Sequence, residues 1–222
     1  AALVRDLVEI PGLRWVRLSS VLPAYFTPDL LEVVTSSPVI APHFHIPLQS
    51  GSDRVLRLMR RPYSVLMYRR LVERLAAAIP SLGLGADVIA GFPGETDCDF
   101  GETVALIEAL PLSYLHVFPY SARRGTEAAR LASAVDPRTI ARRSRTLREL
   151  ARAKSLAFRR GLVGSLQEAL VLETRDRATG RLAGLTGNYV EVLFEGPDAL
   201  RRGLTRVRVT DAERDRTLGE IA

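Results

Sequence analysis

The chain has 222 residues, 47% of them hydrophobic and 25% charged, a globular balance that excludes bulk disorder and is long enough to bury a core without staples. Its net charge of +6 and isoelectric point of about 10.1 admit nucleic-acid or other acidic partners. No apolar run reaches the ~18 residues of a membrane span, and the single cysteine, Cys98, excludes a disulfide framework and points to a reducing, cytoplasmic setting.

The chain starts at Ala1 rather than Met and runs straight into an apolar helix-like stretch, as a piece of a longer protein would. Residues 14–19 read as a strand, 28–35 as a short helix and 43–48 as a second strand. From Ser52 to Ile79 the pattern predicts two helices broken at Pro62. In the second, Val65, Tyr68, Leu71, Val72, Leu75 and Ile79 keep the three-and-four spacing of one buried face. Residues 84–91 form a nearly continuous apolar run, as in a parallel sheet covered on both sides. Thr96 with Asp99 three residues on resembles a capping box, and the helix it opens should bury Phe100, Val104, Ile107 and Leu110. Strand 113–119 follows, and Asp136-Pro137 opens a long helix.

Four strand–helix units in succession predict a parallel α/β arc, too few to close a barrel. The long helix carries the basicity: between Arg130 and Arg160 stand ten basic residues against Asp136 and Glu149. Such a stripe can release counterions from a phosphate backbone, or it can be a solvated face in an arginine-rich chain. After residue 160 the texture changes to short strands at 166–173, 181–185, 188–195, 204–210 and 216–221. Val207 and Val209 point one way there and Arg206 and Arg208 the other. Five strands in about sixty residues predict a small oligonucleotide-binding-type barrel. The expected domains are therefore 1–160 and 161–222.

Three segments at strand ends are rich in polar residues and glycine, where ligands sit in parallel α/β folds. They are His43-Phe44-His45-Ile46-Pro47-Leu48-Gln49-Ser50-Gly51-Ser52-Asp53 running on to Arg61, Asp87-Val88-Ile89-Ala90-Gly91-Phe92-Pro93-Gly94-Glu95-Thr96, and His116-Val117-Phe118-Pro119-Tyr120-Ser121. Gln49 can bond a hydroxyl, Asp87 can accept from a ribose diol and Arg61 can grip a carboxylate. His43 and His45 project to one side of their strand, as in metal-dependent hydrolases, but such a site needs further ligands from His116 and scattered carboxylates. Packed or hydrogen-bonded histidines at a barrel mouth are the favoured reading, no metal ligand is assigned, and Cys98 is read as an inert thiol.

In this order, PLQSGSD, D-V-I-x-G-F-P-G-E-T and H-V-F-P-Y-S-x-R-x-G-T resemble the radical S-adenosylmethionine methylthiotransferases over nearly the whole chain. The resemblance implies a partial parallel (β/α) barrel of the radical SAM type followed by a small OB-like, TRAM-like β-barrel that binds tRNA. It implies S-adenosylmethionine as cofactor, two 4Fe–4S clusters in the intact enzyme, and a reductant and a sulfur donor as partners. A deoxyadenosyl radical would take hydrogen from adenine carbon 2 before sulfur is inserted. The run 116–121 looks most like the branch acting on threonylcarbamoyladenosine beside the anticodon; the alternatives are the branches acting on isopentenyladenosine or a ribosomal protein, or an inactive tRNA-binding fragment. Carried over, Gln49 and Asp87 match ribose contacts, Arg61 the carboxylate contact, Ser19 and Ser20 a position near the methionine moiety, and Gly91 and Phe92 offer backbone to the adenine. Tyr189, Arg206 and Arg208 are the expected RNA contacts. The family's CxxxCxxC loop is absent, and Cys98 alone cannot hold a cluster; catalytic residues are not assigned. The chain is expected to be the C-terminal part of such an enzyme, inactive by itself.

Overall fold

A computed structural model describes residues 1–131 and 133–222. Helix α1 (Ala2–Val8) leads to β1 (Val16–Leu18), α2 (Pro28–Ser36), β2 (Ile40–His45), α3 (Asp53–Leu58), α4 (Val65–Ala78), β3 (Gly83–Ala90), α5 (Asp97–Ala109), β4 (Tyr114–Pro119) and α6 (Pro137–Gly161). The helices begin where side chains satisfy free amides: Thr27 accepts from Leu30 N, Ser64 from Met67 N and Asp136 from Thr139 N. Thr96 and Asp99 close a reciprocal capping box. Strands β1 to β4 lie side by side in chain order, all parallel, which is the winding of a barrel arc rather than of a doubly wound sheet. Phe44, Ile46, Leu84 and Val88 are buried in the core with Tyr68, Leu75 and Ile107 from the helices. The Tyr68 hydroxyl, fully buried, donates to the Ile46 carbonyl at 3.0 Å.

Two expectations shift. The second strand starts at Ile40, which pairs with Val16, and its ladder ends at His45 instead of running to Leu48. Pro47 has no amide hydrogen to donate, and beyond it Gln49, with a left-handed φ of 66°, rejoins β3 only as an isolated bridge to Val88. In α5 the buried residues include Thr103 and Leu106, whereas Phe100 and Val104 are only half-buried. The helix is turned by its polar docking on the 50–54 loop: Thr103 Oγ1 accepts from Gly51 N at 2.9 Å and Asp99 from Ser52 Oγ at 2.7 Å. A Cβ on Gly51 would stand 2.5 Å from Thr103 Cα, so only glycine lets the two backbones approach.

Asp99 carries a testable consequence. Burial alone would raise its carboxyl, but hydrogen bonds from Arg54, Thr96 and Ser52 outweigh it and hold the group well below the ordinary carboxylate range. A carboxylate depressed in the fold stabilises above its ordinary value of 3.8, and that contribution is lost as pH falls below it. Asp99→Asn is expected to cost about 1.5–3 kcal/mol at neutral pH. It should also flatten the loss of stability on the acid side, as read by urea titration at a series of pH values.

Beyond α6, strands β5 (Leu166–Val171), β6 (Leu182–Thr186), β7 (Glu191–Phe194), β8 (Leu204–Ala212) and β9 (Thr217–Ile221) close into a barrel in the order β5-β6-β7-β9-β8. Ala169, Leu182, Val192, Phe194, Val207 and Val209 fill it. Leu193, on the outer face of β7, is buried as well, because it faces the cleft beside Phe158 of α6. The barrel is tied to the sheet: Arg14 pairs with Glu168 at 2.5 Å, Arg17 donates to the Thr186 carbonyl at 3.3 Å, and Asn188 donates to the Ser81 carbonyl at 3.2 Å. Arg159 clamps the β8–β9 turn through the carbonyls of Glu213, Arg214 and Arg216.

The basic helix is less free than its sequence suggests. Arg143 is buried in ion pairs with Glu95 and Asp97, Lys154 donates to the carbonyls of Glu108 and Leu110, and Arg159 holds the turn. Arg138, Arg142, Arg145, Arg148, Arg152 and Arg160 remain exposed. Among the described residues no helix is long and apolar enough to cross a membrane.

Candidate functional site

At the carboxyl ends of β2, β3 and β4 opens a pocket of about 480 Å³ whose lining includes Gln49, Arg61, Asp87, Ile89, Phe92 and Tyr120. Gln49 is pinned in its left-handed conformation: its amide donates to the Asp87 carbonyl at 2.7 Å and its carbonyl accepts from Ile89 N at 2.9 Å. Tyr63 braces the same loop from below, donating to the Pro47 carbonyl at 3.1 Å, and burial pushes its phenol up to about 12. Phe92 and Tyr120 meet edge to face at 5.4 Å. Arg61 Nε and the Tyr120 hydroxyl are buried yet have no hydrogen-bond partner among the described residues. Two unpaired polar groups in one pocket are a cost that a polar ligand would remove.

Four of the seven expected cofactor contacts thus share a pocket, and three do not line it. Ser19 and Ser20 lie exposed past the end of β1, Ser20 with φ of 55°. Gly91 turns its amide to Glu95 Oε2 at 2.8 Å, and a Cβ there would meet Ile140 at 2.4 Å. Its φ of +80° and this close approach of α6 account for the glycine, and its N–H is already engaged.

Below the pocket the concave face of the sheet carries a polar column. Register places His43 beside Gly83, His45 beside Gly85 and Asp87 beside His116, so alternate residues of three strands face one another. The Tyr114 hydroxyl lies 2.9 Å from His43 Nε2 and 3.1 Å from His45 Nδ1. Asp87 Oδ1 lies 3.0 Å from His45 Nε2 and 3.3 Å from His116 Nδ1. Burial, reinforced by the Arg17 guanidinium and by His45, pushes His43 down to about 3, which leaves it neutral at physiological pH. Burial raises Tyr114 to about 12.

The HxH pair is therefore hydrogen-bonded inside the arc, and its ligand-like spacing belongs to His45 with Asp87 and His116 rather than to His43 with His45. Tyr114 and Arg17 were not singled out from the sequence. The period-two series Tyr114, His116, Phe118 was the available signal for the first.

Tyr189 reaches the polar column from the barrel side. Its ring packs against His43 at a tilt of 31° with centroids 4.5 Å apart, and the Arg17 guanidinium sits 4.8 Å from its centroid. It borders the foot of the polar column while its ring stays about half exposed, and Arg206 and Arg208 lie exposed on β8, Arg208 donating to the Gly164 carbonyl at 3.0 Å. Between β4, α6 and the barrel runs a second cleft of about 510 Å³, bordered by Tyr114, His116, Arg152, Tyr189, Arg214 and Arg216.

Residues 2–107 match the family described as the Radical SAM superfamily. The chain is 41% identical over 211 residues to a tRNA-2-methylthio-N(6)-dimethylallyladenosine synthase of Parafrankia sp. (strain EAN1pec), covering 93% of this chain and 42% of the relative. Proteins of the same name from Aeromonas hydrophila and Methylobacillus flagellatus are 37% and 36% identical over 221 residues, all of this chain and 46% and 50% of theirs. The chain thus spans about half the length of the curated relatives it matches. Among solved structures, coproporphyrinogen III oxidase of Escherichia coli, a radical SAM enzyme, superposes with a TM-score of 0.53 at 16% identity, over 80% of this chain and 46% of that one. That likeness concerns the fold alone.

Proposed function

From a chain with a radical SAM match over residues 2–107 and the corresponding parallel fold, we propose that it supplies the cofactor-binding and RNA-binding portion of a tRNA methylthiotransferase. The substrate that the relatives' names support is tRNA bearing N6-dimethylallyl (isopentenyl) adenosine. The threonylcarbamoyl branch, which the 116–121 run resembles, has less support, because the relatives cited carry the dimethylallyl name.

The observation that carries this reading is the convergence of Gln49, Arg61 and Asp87 on one pocket with a buried, unpaired Arg61 Nε. These residues fit S-adenosylmethionine: Arg61 holds its carboxylate, Gln49 and Asp87 its ribose hydroxyls, and Phe92 borders the adenine. When bound, that group supplies the methyl and the radical-initiating carbon of the reaction. The residues do not fit an iron–sulfur cluster. Cys98 is the one cysteine and lies exposed on α5, so no step through a cluster is assigned to this chain. The five-stranded barrel is the TRAM-like element, with Arg206 and Arg208 available to the RNA backbone and the exposed arginines of α6 extending that charge.

The test is calorimetric titration of the chain with S-adenosylmethionine. Arg61→Ala is expected to weaken binding about 10- to 100-fold, the worth of a charge-assisted hydrogen bond. Undiminished binding by that variant would sink the pocket assignment. A parallel titration with anticodon stem-loops bearing dimethylallyladenosine or threonylcarbamoyladenosine separates the two branches.

A further inference from the structure

We propose that His45, Asp87 and His116 form a binding site for one divalent first-row transition ion on the concave face of the sheet. The three residues come from β2, β3 and β4: Asp87 and His116 are register partners, and His45, beside Gly85, stands two residues earlier on the same face. Their ligand atoms all lie within 4.8 Å of one another. Two imidazoles and one carboxylate are the donor set of facial sites for iron, cobalt, zinc or manganese, with further positions left open.

The two edges that meet at Asp87 suit such an ion. Bonds near 2.1 Å give donor–donor edges of about 3.0 Å in an octahedron and about 3.4 Å in a tetrahedron. Asp87 Oδ1 stands 3.0 Å from His45 Nε2 and 3.3 Å from His116 Nδ1. A ligating histidine is generally oriented by a partner on its other nitrogen, and here His45 Nδ1 meets the Tyr114 hydroxyl at 3.1 Å. That hydroxyl is held in turn by buried His43 at 2.9 Å. The support is thus two residues deep behind the most buried ligand. His116 is exposed and borders the 510 Å³ cleft, which gives an ion a way in and turns the open positions toward a second ligand.

The site does not rest on the cofactor assignment, although Asp87 belongs to both. The chain without an affinity tag is stripped with chelator and titrated with Co²⁺ alone, following visible d–d absorption and heat. The expected result is one equivalent bound, with the absorption band lost in His116→Ala and affinity about tenfold weaker in Tyr114→Phe. His116 is exposed, so its removal leaves the core intact, and unchanged circular dichroism checks this. Absence of a one-equivalent phase, or the same band and affinity in His116→Ala, would overturn the proposal and leave the trio as hydrogen-bonded side chains. Titration with S-adenosylmethionine in metal-free buffer reports the pocket separately.

Discussion

Replacing Arg143 with alanine is expected to destabilise the chain by about 3–5 kcal/mol, the cost of breaking one side of a buried ion pair. The side chain is 3% exposed, and Glu95, its partner, is 1% exposed. Nη1 donates to Glu95 Oε2 at 2.7 Å and to the Glu95 carbonyl at 3.1 Å, while Nη2 reaches Asp97 Oδ1 at 2.8 Å. The guanidinium also lies 5.4 Å from the Phe100 ring centroid. Without it, Glu95 keeps the Gly91 amide but is left as a buried charge, and burial already pushes its carboxyl up. Because these contacts join α6 to the β3–α5 turn, the loss should also loosen Phe92 in the pocket above. Urea denaturation measures it, and Arg143→Ala/Glu95→Gln should regain part of the loss because the stranded charge is gone. A single-variant cost below about 1 kcal/mol, the range of a surface pair, would mean that α6 is held by its apolar face, Lys154 and Arg159 instead.

The same arginine shows where sequence reasoning stopped. Strand–helix alternation, the Thr96 capping box and the Asp136-Pro137 helix start were legible because each depends on neighbours within a few residues. The five short strands were legible from period two and their turns, though β2 lies three residues earlier than the 43–48 pattern suggests, because it accommodates Pro42 within it. Arg143 could not be told from nine other cations on and around α6, since its burial depends on where the β3–α5 turn lands. The polar column likewise depends on the registers His45 with Gly85 and Asp87 with His116, which are set across strands forty residues apart or nearer and leave no local trace. Gln49, Arg61, Asp87 and Phe92 came together because they sit at strand ends, where topology alone gathers residues. Gly91 fell outside that rule, its amide being taken by Glu95, and the contact of Tyr189 with His43 left no local trace either, because its loop turns one edge of the ring toward the sheet.

That inward turn leads to the second large effect. Gly83→Ala is expected to cost about 1–3 kcal/mol as overpacking, spent mainly on separating the sheet from the barrel. An added Cβ would stand 2.2 Å from the Asn188 carbonyl oxygen, a backbone atom that cannot swing aside as a side chain can. The 187–189 loop would have to withdraw, taking Tyr189 off His43 and straining the Asn188 bond to Ser81. Gly101→Ala is the control: its Cβ meets nothing within 4 Å in the middle of α5, so a gain of about 0.5–1 kcal/mol is expected there from helix propensity. Calorimetry should show the Gly83 variant melting earlier, with the barrel and sheet transitions pulled apart, because the surface pair Arg14–Glu168 bridges them only weakly. If Gly83→Ala instead melts with the parent chain, the two units are joined by α6 and Arg159 and the loop contact is incidental.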